Sequence, residues 1–173
     1  MSAKTDQRAK RILQELLRQG STTVEALSQL VGASGASVRR DLTGLEQRGL
    51  VHRTHGGAKL PGQTHYEPFR FDSSFQEREG RFAEEKRRIG VAAAELVREH
   101  DTIGFTAGTT TTQVARCVRH LRGINVITNA VNIGMELTNQ NALNVTLTGG
   151  TIRWAGAFSL IGHTAIETLS GVF

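Results

Sequence analysis

The stretch from Ser34 to Ala58, SGASVRRDLTGLEQRGLVHRTHGGA, holds residue types suited to contact with a polyanion. Val38, Leu42 and Leu45 lie four and then three residues apart, which puts them on one face of a helix and leaves Gly35, Ala36, Ser37, Arg39 and Arg40 on the other. Small residues near a helix start let the backbone approach base edges, while arginine reaches guanine or phosphate oxygens. Beyond the helix, Leu50 to Arg53 reads as a strand, His55-Gly56-Gly57 as a turn permitting positive φ, and Ala58 to Leu60 as the return strand. Adjacent arginines are commonplace on solvated helices, and a hairpin alone implies little. Their order, helix then hairpin, makes a winged helix whose partner is double-stranded DNA. Ser34, Gly35, Ser37, Arg39 and Arg40 are its contacts on the helix, and Arg53 and His55 on the wing meet phosphate or the minor groove. Asp41 reads as a structural acid paired with a neighbouring arginine, because a carboxylate near phosphate is repelled.

A second set of residues lies in three loops: Thr106-Ala107-Gly108-Thr109-Thr110-Thr111-Thr112, Asn129-Ala130, and Gly149-Gly150-Thr151. Gly108 allows close backbone approach, and Thr109 to Thr112 offer hydroxyls and amides at a helix start, where the helix dipole favours an anion. The same threonines equally serve as helix caps, and neither a GxGxxG nor a P-loop pattern is present, so the loop by itself leaves both readings open. Arg153, just beyond the third loop, either neutralises a bound phosphate or faces solvent.

These residues need elements to position them. Ile12, Leu13, Leu16 and Leu17 recur at helical spacing, giving a first helix from Lys4 to Gln19 that stops at Gly20. Thr22 or Thr23 caps a second helix through Val24, Leu27, Leu30 and Val31, with Thr22-x-x-Glu25 as a capping box and Gly32 as its end. Ser34 caps the third, and Gly32-Ala33 supplies the tight turn of a helix-turn-helix. From Glu84 onward helices and strands alternate: helix Glu84 to Arg98, strand Thr102 to Phe105, helix Thr110 to His120, strand Asn125 to Thr128, helix Val131 to Gln140, strand Asn144 to Thr148. This is a βαβαβ unit with a parallel sheet, and ligands collect at the carboxyl ends of such strands, where all three loops lie. Ala165 to Phe173 reads as a last helix. Pro61, Gly62 and Pro68 mark a linker, and Phe69, Phe71, Phe75 and Phe82 are expected to pack on the second domain or on a second subunit.

The chain therefore reads as an α/β multidomain protein, with a winged helix-turn-helix at 1–60, a linker at 61–74 and a Rossmann-like α/β domain at 75–173. Charge follows that division. Residues 1–60 carry 10 Lys+Arg against 5 Asp+Glu, and residues 61–173 carry 11 against 11, so the whole net charge of +5 sits on the first domain. No apolar run is long enough to span a membrane and no basic-then-apolar leader opens the chain, so a soluble, cytoplasmic protein is expected. One cysteine, Cys117, excludes a disulfide within the chain, and the six histidines are scattered without ligand spacing, so neither metal nor other cofactor is expected. Cys117 lies in an apolar-periodic stretch beside Val114 and Val118 and reads as a small core residue.

SVRRDL at 37–42, Leu45, Gly49 and RTHGGA at 53–58 closely resemble the signature of the DeoR family of bacterial transcription regulators. Glu85-Lys86 with Ile89-Gly90, AGTT at 107–110, Thr128-Asn129 and TGG at 148–150 resemble that family's effector-binding domain, which is related to sugar-phosphate isomerases and CoA transferases and typically senses phosphorylated sugars. Carried over by position, the resemblance implies that Gly108, Thr109 and Thr110 hold a phosphate, with Asn129, Gly149 and Gly150 flanking the sugar. Two departures are visible. Thr106 stands where the family usually has an aspartate, and a threonine cannot offer the same negative acceptor to a sugar hydroxyl. Family members usually continue past the length of this chain, so the sensor domain is expected to be C-terminally truncated, leaving Thr102 to Phe105 short of a sheet neighbour and the second domain prone to self-association.

The leading expectation is a sequence-specific DNA-binding regulator, a homo-oligomeric repressor of sugar metabolism genes released by a phosphorylated sugar. One alternative is a truncated relative that binds DNA without effector response. Another is a sugar-phosphate isomerase-like enzyme, but the loop cluster offers threonines, Asn129 and glycines with no carboxylate or histidine to act as general base, so no catalytic residue is assigned.

Overall fold

The computed structural model describes residues 3–60, 73–138, 142–153 and 158–172. The chain divides into two compact units, Met1–Gln63 and Thr64–Phe173.

In the first unit, helix α1 (Ala3–Gln19) is followed by strand β1 (Ser21–Thr23), helices α2 (Val24–Val31) and α3 (Gly35–Gln47), and strands β2 (His52–Arg53) and β3 (Gly57–Lys59). Ile12 and Leu16 of α1, Leu27 of α2, and Val38 and Leu42 of α3 are fully buried, so the three apolar stripes read from the sequence close on one another. Thr23 caps α2, its side chain accepting from the Ala26 N–H at 3.1 Å. Thr22 is instead taken into β1, so the capping box expected between Thr22 and Glu25 does not form. Gly32 ends α2 at φ 62, a left-handed conformation that glycine adopts without penalty.

The wing is a three-stranded sheet in the order β1-β3-β2, both pairings antiparallel. β1 was not legible beforehand, because three polar residues carry no alternation to read. Nor do the wing glycines act as expected: none of His55, Gly56 and Gly57 takes a positive φ. Gly57 is required for closeness instead, since a Cβ there would lie 2.0 Å from the Thr22 carbonyl oxygen and 2.8 Å from Thr23 Cα.

The second unit runs α4 (Ser73–Gly80), α5 (Ala83–Ala94), β4 (Thr102–Phe105), α6 (Thr109–Val118), β5 (Ile124–Thr128), α7 (Val131–Thr138), β6 (Leu143–Leu147), β7 (Thr151–Arg153), β8 (Ser159–Ile161) and α8 (His163–Ser170). β4, β5 and β6 form a parallel sheet in that order, with Phe105 opposite Thr128 and Thr128 opposite Leu147 at the carboxyl ends. Val118, Ile124, Val126, Ile133 and Leu137 are core residues between this sheet and its helices. α5 lies close against α6: a Cβ on Gly90 would be 3.0 Å from the Gln113 carbonyl and 3.2 Å from Cys117 Sγ. α5 stops four residues short of the expected Arg98, because Leu96 and Val97 tighten into bonds to Ala93 and Ala94 and the Asp101 carboxylate accepts from the Arg98 N–H at 2.8 Å.

Besides β1, three elements were not anticipated. β7 and β8 pair as an antiparallel hairpin where a loop was expected. α4 begins at Ser73, so the last two positions assigned to the linker belong to a helix; residues 61–72, and with them Phe69 and Phe71, lie outside the described residues. Phe75 packs edge-on against Phe158 with ring centroids 5.3 Å apart, as expected of a packed aromatic. Phe82 does not pack into the second domain: it is 60% exposed and sits under the Arg81 guanidinium, 5.2 Å from its ring.

Candidate functional site

On α3, Ser34 is the N-cap and accepts from the Ser37 N–H at 3.3 Å, and the two hydroxyls lie 3.1 Å apart. The pair thereby fixes the first turn. Ala36, Arg39 and Arg40 are exposed, and Ser37 is half-buried. Gly35 faces partly inward, with Val24 Cγ1 of α2 and Arg39 Nη1 each 3.5 Å from where a Cβ would sit, so it belongs to the turn between the two helices more than to the open face.

Arg53, on the wing, is tied to α3 at two points. Its N–H donates to Glu46 Oε1 at 2.9 Å, and its guanidinium donates to Thr43 Oγ1 at 3.1 Å. Thr43 in turn donates to the Arg39 carbonyl at 3.0 Å. Helix and wing thus offer Arg39, Arg40 and Arg53 together, all exposed, with exposed His55 at the hairpin tip. Thr43 and Glu46 escaped the sequence reading; their places one and two turns after Arg39 on the same helix were the available sign.

Asp41 is buried and receives two bonds from Arg8 of α1, from Nε at 2.5 Å and Nη2 at 3.0 Å. A fork of this kind binds a carboxylate with fixed geometry, and donating hydrogen bonds to Asp41 raises the Arg8 pKa above its ordinary value. The structural acid expected at Asp41 therefore exists, with a partner 33 residues away instead of an adjacent arginine.

In the second unit the three loops stand at the ends of adjacent parallel strands. Gly108 precedes α6 with no side-chain cap, and a Cβ there would meet only Thr111 Oγ1 at 3.4 Å, an ordinary contact. Packing leaves room for a side chain at this place, but the backbone, at φ 158, favours glycine. Thr109, Thr110 and Thr111 are half-buried, whereas Thr112 is fully buried and turned inward, donating to the Gly108 carbonyl at 2.8 Å and accepting from Asn132 Nδ2 at 3.0 Å. The four threonines so divide into three open hydroxyls and one brace. Thr106 is exposed.

Asn129 is half-buried, and its amide donates to the Leu160 carbonyl at 3.2 Å. Thr128 Oγ1 links the first two loops, donating to the Phe105 carbonyl at 2.8 Å and accepting from the Ala130 N–H at 3.0 Å. Gly149 and Gly150 take φ 72 and 107, and a Cβ on Gly150 would lie 2.5 Å from the Ile161 carbonyl oxygen, so that glycine lets the third loop pass close to β8. Arg153 is exposed at the end of β7. Gly108, Thr109, Thr110, Asn129, Gly149 and Gly150 are thus gathered at one edge of the sheet.

Behind this edge, Arg116 of α6 is held between Glu79 of α4 at 2.7 Å and Glu136 of α7 at 2.6 Å. Burial works against its charge, but the Glu136 and Glu79 carboxylates outweigh it and raise the Arg116 pKa above the ordinary value. Cys117 is buried beside it, and loss of solvent pushes its thiol up to about 11. Among the described residues, no group of three or more His, Cys, Asp or Glu is placed to hold a metal ion. No described helix is long and apolar enough to cross a membrane.

Comparison with known proteins covers both units. The DeoR-like helix-turn-helix domain matches residues 8–64, and the DeoR C terminal sensor domain matches residues 81–172. The chain is 38% identical over 159 residues to the HTH-type transcriptional regulator GlpR of Haloferax volcanii, covering 92% of this chain and 60% of that one. It is 34% identical to the HTH-type transcriptional repressor GlcR of Bacillus subtilis, over 95% of this chain and 61% of the relative. With the glycerol-3-phosphate regulon repressor of Escherichia coli the identity is 29%, over 96% and 64%. The chain spans between 60 and 64% of the length of these three relatives.

Proposed function

Because the chain belongs to the DeoR family of transcriptional regulators, we propose that it is a sequence-specific DNA-binding repressor of carbohydrate-metabolism genes, released from its operator by a phosphorylated sugar. The observation that carries this is the joint presentation of Arg39 and Arg40 on α3 with Arg53 on the wing, in a segment that bears the chain's whole net charge of +5. Ser37, Arg39 and Arg40 enter the major groove, and Arg53 and His55 meet phosphate or the minor groove. Ser34 and Gly35 set the start of the reading helix. A single winged helix has a small footprint, so the protein acts as a homo-oligomer on a two-fold operator in the cytoplasm.

Gly108, Thr109 and Thr110 take the phosphate of the effector at the start of α6, where amides and hydroxyls converge on a positive dipole end, and Asn129, Gly149 and Gly150 flank the sugar. The names of the relatives, which include a glycerol-3-phosphate regulon repressor and a lactose phosphotransferase system repressor, support a phosphorylated carbohydrate as the effector class. A second reading rests on Thr106: without an acidic acceptor beside the glycine loop, the protein binds DNA and senses nothing.

Fluorescence anisotropy on duplex DNA from the protein's own upstream region, against scrambled DNA at two salt concentrations and with a panel of sugar phosphates, tests both readings. Specific binding released by one phosphosugar establishes the inducible repressor. Specific binding that no sugar alters supports the second reading, and equal affinity for every duplex refutes sequence-specific regulation.

A further inference from the structure

The candidate effector loops are joined by one line of contacts to the helix that follows residues 61–72 in the chain. The Asn129 carbonyl accepts from the Leu160 N–H at 2.7 Å, while its side-chain amide donates to the Leu160 carbonyl at 3.2 Å. Ala130 bridges Ser159, and the Val131 N–H donates to the Phe158 carbonyl at 3.0 Å. The β5–α7 loop is therefore stitched to the start of β8 on both sides of Ala130. Phe158, fully buried at that start, presents its ring to Phe75 of α4. One turn further along α4, buried Glu79 pairs with Arg116, which also holds Glu136 of α7. α4 is so fastened at two points, to β8 through Phe75 and to α6 and α7 through Glu79.

The junction is also locally strained. Phe158 stands at φ 46, which bulky residues avoid. Around the same loop, Asn129 Oδ1, Asn132 Oδ1 and Ser159 Oγ are buried with no hydrogen-bond partner among the described residues. The orientation of the Asn132 amide is fixed by the network, since the Thr112 hydroxyl already donates to Gly108 and accepts only from a donor. Unsatisfied polar atoms beside a strained residue raise the energy of this packing.

We propose that α4 is the output element of the sensor: a ligand that moves the Asn129–Ala130 loop shifts β8 and Phe158, reseats Phe75, and so passes its occupancy to α4 and the chain segment leading to the winged helix. This rests on the effector reading for the ligand, while the mechanical link from loop to α4 is testable without one.

The test is hydrogen exchange on the full chain, reading peptides over 73–82, 106–112, 124–128 and 158–162. Asn129→Ala is expected to speed exchange in 73–82 by at least threefold while 124–128 keeps its protection, and the double variant with Phe75→Leu should exceed Phe75→Leu alone by less than the Asn129→Ala effect. If Asn129→Ala lowers protection across 124–128, Asn129→Ser is read in its place. An unchanged 73–82 peptide in that variant, or fully additive effects, overturns the proposal. Glucose 6-phosphate, glycerol 3-phosphate and inorganic phosphate are then added to the wild type. A probe that protects 106–112 and also alters 73–82 supports the link; one that protects 106–112 and leaves 73–82 unchanged overturns it while the effector reading stands. Protection by none of them counts against the effector reading, and the variants by themselves then decide the link.

Discussion

Replacing Gly57 by alanine isolates the close approach of β3 to β1 within the wing sheet. An added Cβ would lie 2.0 Å from the Thr22 carbonyl oxygen, where an ordinary contact needs 3.4 Å, so β1 and β3 must separate locally by 3.4 − 2.0 = 1.4 Å. The obstacle is backbone on both sides and no side-chain rotation relieves it. The same movement strains the bond from the Val24 N–H to the Gly56 carbonyl, now 2.9 Å, and with it the start of α2. Overpacking of this kind costs about 1–3 kcal/mol. One lost backbone bond adds roughly 0.5–1.5 kcal/mol, for a sum of about 1.5–4.5 kcal/mol. At about tenfold per 1.4 kcal/mol, hydrogen exchange in peptides over 21–24 and 52–59 should accelerate by between about 10- and 1,600-fold, and operator affinity should fall with it. Gly56→Ala is the control, because nothing lies within 4 Å of its added methyl and its φ is not positive. It should be neutral or stabilise by up to about 1 kcal/mol. Equal exchange in the two variants would refute the steric reasoning.

Gly90→Val should destabilise the second unit by about 1–3 kcal/mol, since α5 must back away from the Gln113 carbonyl and Cys117; urea titration followed by the fluorescence of the single tryptophan reads this, and an unchanged midpoint contradicts it. Cys117 has a folded pKa of about 11 against an ordinary 9.0, so the stability it contributes is complete below pH 9 and lost as pH rises from 9.0 towards 11. Stability of the wild type should therefore decline relative to Cys117→Ala across that range, and the native thiol should resist alkylation at pH 8 until the protein is unfolded. Arg40→Ala should weaken operator binding by about 1–3 kcal/mol and blur base preference if Arg40 reads a base; equal loss on specific and random duplexes assigns it to phosphate. Asp41→Ala should raise exchange in both α1 and α3, because Arg8 loses both bonds of its fork, and an effect confined to α3 would show the pair to be incidental.

The sequence carried α1, α2 and α3 because their apolar spacing, the caps at Thr23 and Ser34 and the stop at Gly32 are local signals, each settled within a turn or two of helix. It carried β4, β5 and β6 for a similar reason, as short apolar runs alternating with helices have few parallel arrangements available. The three loops at their ends could be named from that topology alone. α4 is different. SSFQEREG has little amphipathic pattern, and it is a helix in this place because Phe75 finds Phe158 and Glu79 finds Arg116, partners 83 and 37 residues away.

The same division runs through the site residues. Arg39, Arg40 and the AGTT loop were visible as residue types at a spacing, which the chain specifies by itself. Which threonine is open and which is a brace depended on Asn132 reaching Thr112 from another helix, and the tie from Arg53 to Thr43 depended on the wing folding back across α3. Gly57 needs to be glycine for its closeness to β1 and not for a positive φ: a sequence marks a glycine but not whether a turn or a neighbouring strand requires it. Periodicity and capping are properties of consecutive residues and so are written in order along the chain, whereas close approach, buried pairing and the fastening of α4 are made between residues far apart in sequence, and only the folded structure brings those together.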